Sequence, residues 1–120
     1  MTKDTGVAIH SDALLGKRVL LAIAGGIAAV ESVRLARELR RHQADLSVIM
    51  SEEATKIVTP LAVSWGSDTI VHQGWSSEMS QLEAFDVILI APATRNTISK
   101  HLHGIMDSPL LMSLSASRGR

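Results

Sequence analysis

The chain has 120 residues, with 12 Lys plus Arg against 12 Asp plus Glu, 46% apolar residues, three aromatic residues and no cysteine. One domain of this length hides roughly two thirds of its unfolded surface, so disorder and a disulfide scaffold are both excluded. Neutral charge and so few stacking platforms argue against a nucleic-acid binder. The longest uncharged apolar run, Val19 to Val30, is 12 residues, well short of the ~20 that span a membrane.

Residues 1–16 mix charged and small polar groups, which predicts a flexible leader ahead of a domain over 17–120. Val19-Leu20-Leu21-Ala22-Ile23-Ala24 is a continuous aliphatic run that stops at Gly25-Gly26. That pattern predicts a strand buried on both faces, as in a parallel sheet. From Ile27 the apolar period becomes helical through Val30, Val33, Ala36 and Leu39, with Arg34–Glu38 and Glu38–Arg41 within pairing distance on the polar side. Leu46 to Met50 reads as a second strand, and Ser51 as the cap of a helix through Ile57 with Glu52 and Glu53 in its first turn. Pro60 ends or restarts that helix.

Residues 61–80 are less patterned: an apolar patch from Leu61 to Trp65, a turn at Gly66-Ser67-Asp68, a short run Thr69 to His72, then polar loop. Asp86 to Ala91 reads as a third buried strand closed by Pro92. A helical pattern continues from Ile98 to about His103, with Gly104 as its stop. A last helix from Pro109 to Ala116 uses Leu110, Leu111 and Leu114 as its apolar face. Strands alternating with helices predict an α/β fold with a mainly parallel sheet and helices on both faces. Charge is uneven, at +2 over 1–50, −5 over 51–86 and +3 over 87–120; the acidic middle is either a solvated face or a patch.

In such sheets ligands bind beyond the carboxyl ends of the strands, beside helix N-termini. Three loops qualify: Gly25-Gly26, Ser51-Glu52, and Pro92 to Thr97. The glycine pair allows close approach of a phosphate, or serves as a tight turn without a ligand. Neither Gly-x-Gly-x-x-Gly nor a P-loop is present, since Ile27 and Val30 stand at the later glycine positions. Ser51, Thr94 and Thr97 are helix caps or ligand donors. Asn96 caps a helix or holds a substrate carboxylate, and Arg95 reaches an anion or solvent. His101 and His103 point about 200° apart on a helix and cannot share a metal ion, so no metal site is expected. His72 is isolated, and the methionines read as core or interface filler.

Four segments then converge on one pattern: Ile23 to Ser32, Val48 to Ala54, Thr59-Pro60-Leu61, and Ala91 to Lys100 with His103-Gly104-Ile105-Met106-Asp107. In this order and spacing they resemble the homo-oligomeric flavin-containing cysteine decarboxylases, the phosphopantothenoylcysteine decarboxylase type of coenzyme A biosynthesis. The resemblance implies a Rossmann-like three-layer domain that binds FMN at subunit contacts of a trimer-based homo-oligomer. It implies cofactor contacts from Gly25, Gly26 and Ile27, from Ser51, and from Ala93, Thr94 and Thr97. Asn96 becomes a candidate for catalysis, and a peptide or small-molecule thiol the candidate substrate.

The departures are equally specific. The family's active-site histidine falls on Glu78, Met79 or Ser80, none of which is histidine, and Arg95 replaces the usual alanine. The later Pro-x-Met-Asn segment and the substrate-clamping cysteine are absent from the 120 residues. Three expectations result: a C-terminally shortened decarboxylase-like domain, a non-decarboxylating flavoprotein such as a reductase, electron-transfer or regulatory subunit with a partner chain, or a generic nucleotide-binding domain. A cysteine-free chain without a secretory signal is expected in the cytoplasm.

Overall fold

The computed structural model describes residues 6–74 and 84–116. Strands β1 (Arg18–Ile23), β2 (Asp45–Met50), β3 (Val71–His72) and β4 (Val87–Ile90) form one parallel sheet in the order β3-β2-β1-β4. Helices α1 (Ser32–Arg41), α2 (Pro60–Ser67), α3 (Arg95–Leu102) and α4 (Pro109–Ala116) alternate with or come after them. This is the α/β arrangement with a parallel sheet that the alternating strands and helices predict, and the Rossmann-like fold that the family resemblance implies.

β1 occupies the middle because both of its edges are paired, Leu21 standing opposite Val48 on one side and Leu89 on the other. Its side chains alternate between two cores. Val19, Leu21 and Ile23 pack with Val48, Met50, Ala36 of α1 and Val63 of α2. Leu20 and Ala22 pack with Ile49, Phe85, Leu110 and Leu114 on the opposite face. Burying each such aliphatic side chain is worth about 1.5–3 kcal/mol, so the run Val19 to Ile23, at most 2% exposed throughout, is the best-anchored stretch of the chain.

The apolar face of α4 is the one read from the sequence, and it is covered within the chain: Leu110, Leu111 and Leu114 are 2–6% exposed where this helix closes the second sheet face. Several other elements differ from the sequence reading. The segment after Gly26 is a 3-10 turn over Ile27–Glu31 before α1 begins, and it leaves Ile27 80% and Val30 53% exposed. Arg34 pairs with Glu31 at 3.3 Å, because Glu38 is taken by Arg41 at 2.8 Å and by His42 at 3.2 Å. After Ser51 there is only a 3-10 turn over Ala54–Lys56. The Leu61 to Trp65 patch is the body of α2, which starts at Pro60 under a Thr59 cap. β4 is an edge strand among the described residues, so Val87 is exposed and its other residues are half-buried.

Residues 10–14, read from the sequence as leader, are tied to the end of α1. His10 N–H donates to the Arg41 carbonyl at 2.8 Å and Leu14 N–H to the His42 carbonyl at 2.9 Å. These are carbonyls that a helix C-terminus leaves without partners. His42 Nε2–H donates to the Glu38 carboxylate, which leaves Nδ1 to accept from the Ser11 hydroxyl at 2.6 Å.

α1 and α2 approach closely at Gly66. A Cβ there would lie 2.8 Å from Val33 Cγ1 and 3.1 Å from the Val33 carbonyl oxygen. Arg40 donates to the Gly66 carbonyl at 3.0 Å, and the Arg37 guanidinium sits 4.7 Å over the Trp65 ring. Gly66→Ala is therefore expected to destabilise the fold by about 1–3 kcal/mol, read from denaturant midpoints. Glu38 is held below the usual carboxylate range, first by its hydrogen bond from Arg41 and then by that from His42. A lowered folded-state value means stability that is present above the ordinary glutamate range and lost as pH falls through the lowered one. Glu38→Gln should flatten the acid side of a melting-temperature against pH curve, and an unchanged acid limb would refute the link.

Candidate functional site

Parallel strands deliver all their carboxyl ends to one edge, and β1 and β4 diverge there into loops that run to different helices. The crevice at such a reversal of strand order is where open α/β sheets bind ligands. A cleft of about 660 Å³ opens at this place, within the range of small-molecule sites. Gly25, Ser51 and the Thr94–Thr97 segment line it, so all three loops singled out in the sequence meet.

Ser51 extends β2, and its Oγ accepts from Ala54 N–H at 3.2 Å. Thr94 is the N-cap of α3, its Oγ1 accepting from Thr97 N–H at 3.1 Å and donating to Thr97 Oγ1 at 2.8 Å. The hydroxyl protons of Ser51 and Thr97 remain for a ligand, since accepting a bond does not use them. The first amides of α3, on Arg95 and Asn96, have no intrahelical acceptor. Helix α3 thus starts at Arg95 rather than Ile98, as its threonine cap dictates.

Gly25 is required for a reason no local pattern reveals. A Cβ on it would collide with the Glu53 side chain and come within 3.2 Å of the Glu53 backbone carbonyl carbon. The turn after β1 and the turn after β2 therefore interlock through the missing side chain. Gly26 is different, because a Cβ there would make only a 3.5 Å contact with Pro92. Gly26, Ile27 and Ala93 do not line the cleft, and Ile27 and Ala93 are exposed. Asn96 is exposed on the rim and does line it, while Arg95 is exposed and does not.

Other lining groups carry no local signal in the sequence. Met50, Leu110 and Leu111 make one part of the wall apolar, whereas Gln73 and Gly74 enter from the end of β3. Charged side chains of Glu52, Glu53, Asp107 and Lys100 complete it. Lys100 Nζ sits 2.8 Å from Asp107 Oδ2. His103 stays out of the cleft as the C-cap of α3, its Nδ1 bonded to the Ser99 carbonyl at 2.7 Å. Among the described residues no three metal-ligating side chains cluster. Glu78, Met79 and Ser80 lie outside the described residues.

A family model named Flavoprotein matches residues 7–119. The chain belongs to the Flavoprotein family. Membership implies a flavin as cofactor. The coenzyme A biosynthesis bifunctional protein CoaBC of Thermococcus kodakarensis is 44% identical over 110 residues, covering 86% of this chain and 27% of that protein. CoaBC of Bacillus subtilis is 36% identical over 112 residues, covering 87% and 28%. The chain thus spans little more than a quarter of the length of these relatives. Among solved structures, the FMN-dependent cysteine decarboxylase SpaF superposes with a TM-score of 0.75 at 23% identity, covering 89% of this chain and 66% of that one. A PPC decarboxylase mutant gives 0.66 at 20%, covering 85% and 64%. At these identities the superpositions speak for the fold.

A flavin carries polar groups beside a flat, largely apolar ring, and the lining offers both hydroxyl and amide donors and apolar side chains. The donors are the hydroxyls of Ser51 and Thr97 and the first amides of α3, and the apolar part is Met50, Leu110 and Leu111. The interlocking turns yield a test: Gly25→Ala is expected to cost about 1–3 kcal/mol, whereas Gly26→Ala should leave the melting temperature near wild type. Equal effects of the two would contradict the Glu53 contact.

Proposed function

We propose that this chain binds FMN in the cleft between β1 and β4 and serves as the flavin-binding unit of a cysteine-decarboxylase-type protein acting on a thiol-bearing substrate. The observation that carries the reading is the meeting of the three strand-to-helix loops on one cleft whose lining combines the hydroxyl groups of Ser51 and Thr97 with the apolar side chains of Met50, Leu110 and Leu111. The Flavoprotein family model and the FMN-dependent neighbours support the same choice of cofactor, and the coenzyme A biosynthesis relatives the substrate class. Among the described residues no helix is long and apolar enough to cross a membrane.

When bound, the flavin supplies two-electron oxidation of the carbon that bears the thiol. The protein's part is to hold it. The Ser51 hydroxyl, which also accepts from Ala54 N–H, and the Thr97 hydroxyl, which accepts from Thr94 Oγ1, donate to the phosphate, and the N-terminus of α3 adds the positive end of its dipole. Asn96 on the rim is placed to donate its amide to a substrate carboxylate. A homo-oligomer, with FMN at a subunit boundary, completes the reading. Histidine at 78–80 is lacking in the sequence, which favours a second reading in which the bound flavin serves reduction or electron transfer beside a partner chain.

Purified protein should carry a flavin absorbance band, and FMN added to the apoprotein should raise its melting temperature as mass action requires. A colourless protein whose melting ignores saturating FMN would overturn the proposal.

A further inference from the structure

Resting on that reading, we propose that the Lys100–Asp107 ion pair is a positioning strut that sets the cleft's affinity for FMN by holding one wall in place, and that Lys100 is not itself a ligand of the phosphate. Lys100 lies in the last turn of α3, and Asp107 ends the loop that leads to α4. The loop leaves α3 through Gly104, whose φ of +71° turns the chain sharply. Up to Ile105 it is held by backbone bonds of the helix end, with Ile105 N–H donating to the Lys100 carbonyl at 2.9 Å. Beyond that, Ile105, Met106 and Asp107 are exposed. The Lys100–Asp107 pair is the side-chain tie that the described residues provide for this stretch before Ser108.

The wall begins at Asp107. Ser108 Oγ caps α4 by accepting from Leu111 N–H at 3.2 Å, and its carbonyl accepts from Met112 N–H at 2.9 Å. Asp107 through Leu111 all line the cleft. The strut therefore joins the C-terminal end of one cleft-lining helix to the start of the next.

Two arguments assign the pair to positioning. First, its side chains are 31% and 54% exposed, and a pair so open to water contributes little to global stability. A bond that adds little to stability can still restrict where a wall stands, and preorganisation of a wall appears in affinity. Second, among the described residues the other charged groups of the cleft are the carboxylates of Glu52 and Glu53. The lysine of the lining is already paired with Asp107 at 2.8 Å, and its cleft also carries the uncharged hydroxyl of Thr97 one turn away on the same helix.

The two roles for Lys100 predict opposite signs at Asp107. If Lys100 were the phosphate's cation, Asp107→Asn would release it and tighten binding. As a strut, Asp107→Asn and Lys100→Met remove the same tie and weaken binding alike. The experiment titrates FMN fluorescence quenching on the full chain for wild type, Lys100→Met, Asp107→Asn and Lys100→Arg, with apoprotein melting measured alongside. The expected result is about a tenfold weaker Kd for both Lys100→Met and Asp107→Asn, little change in their apoprotein melting, and near-wild-type affinity for Lys100→Arg, which keeps the pair. Unchanged or tighter binding by Asp107→Asn overturns the strut, as does a Lys100→Met variant that binds like wild type or has lost its cooperative melting. Failure of wild type itself to bind FMN would strike the underlying functional reading, which separates the two failures.

Discussion

Everything in this molecule hangs on the double-sided burial of β1. Its residues Val19 to Ile23 serve two cores at once, odd positions facing α1 and α2 and even positions facing α4. Parallel neighbours on both edges then bring the ends of β2 and β4 to the same side as Gly25. Because the chain leaves β1 and β4 toward different helices, that side cannot close on itself, and the cleft is what remains. The site is thus a consequence of how the strand is buried, not a separate construction.

The loops around the cleft are held by the same hydroxyl groups that line it. Ser51 and Thr94 accept a backbone N–H as caps, and the cap leaves a hydroxyl proton in the local network. Accepting a backbone N–H leaves the Ser51 hydroxyl proton uncommitted, whereas that of Thr94 is passed to Thr97 Oγ1, so the hydroxyl proton open to the cleft there is that of Thr97. Gly25 shows the converse. Its lack of a side chain is demanded by Glu53 before any ligand is considered, so this glycine owes its place first to two turns packed against each other.

Legibility in the sequence varies with how local each signal is. β1, β2 and β4 stand out as aliphatic runs, although no run shows that β4 lies at an edge with Val87 exposed. α2 is hard to read because Leu61 and Trp65 are apolar yet exposed, which erases the usual two-faced pattern; the Thr59-Pro60 start is the available clue. Ile27 and Val30 suggest one helix with the residues after them, but the 3-10 turn rotates them out of register with Val33 and Ala36. The face of α4 is legible as apolar, while its partner, the Leu20–Ala22–Ile49 side of the sheet, depends on pairing across the chain.

The amino-acid order alone thus carries a set of local devices: three aliphatic strands, the Gly25-Gly26 turn, the caps at Ser51, Thr59 and Thr94, the stop at Gly104, and enough ordered motif to indicate a flavin-binding family. Period, capping and backbone freedom act over a few residues and are written along the chain. Which of these devices face one another is settled only by folding. Strand order, the interlock of Gly25 with Glu53 and the placing of α4's start on the same cleft as Ser51 all depend on long-range burial, and no local pattern encodes it.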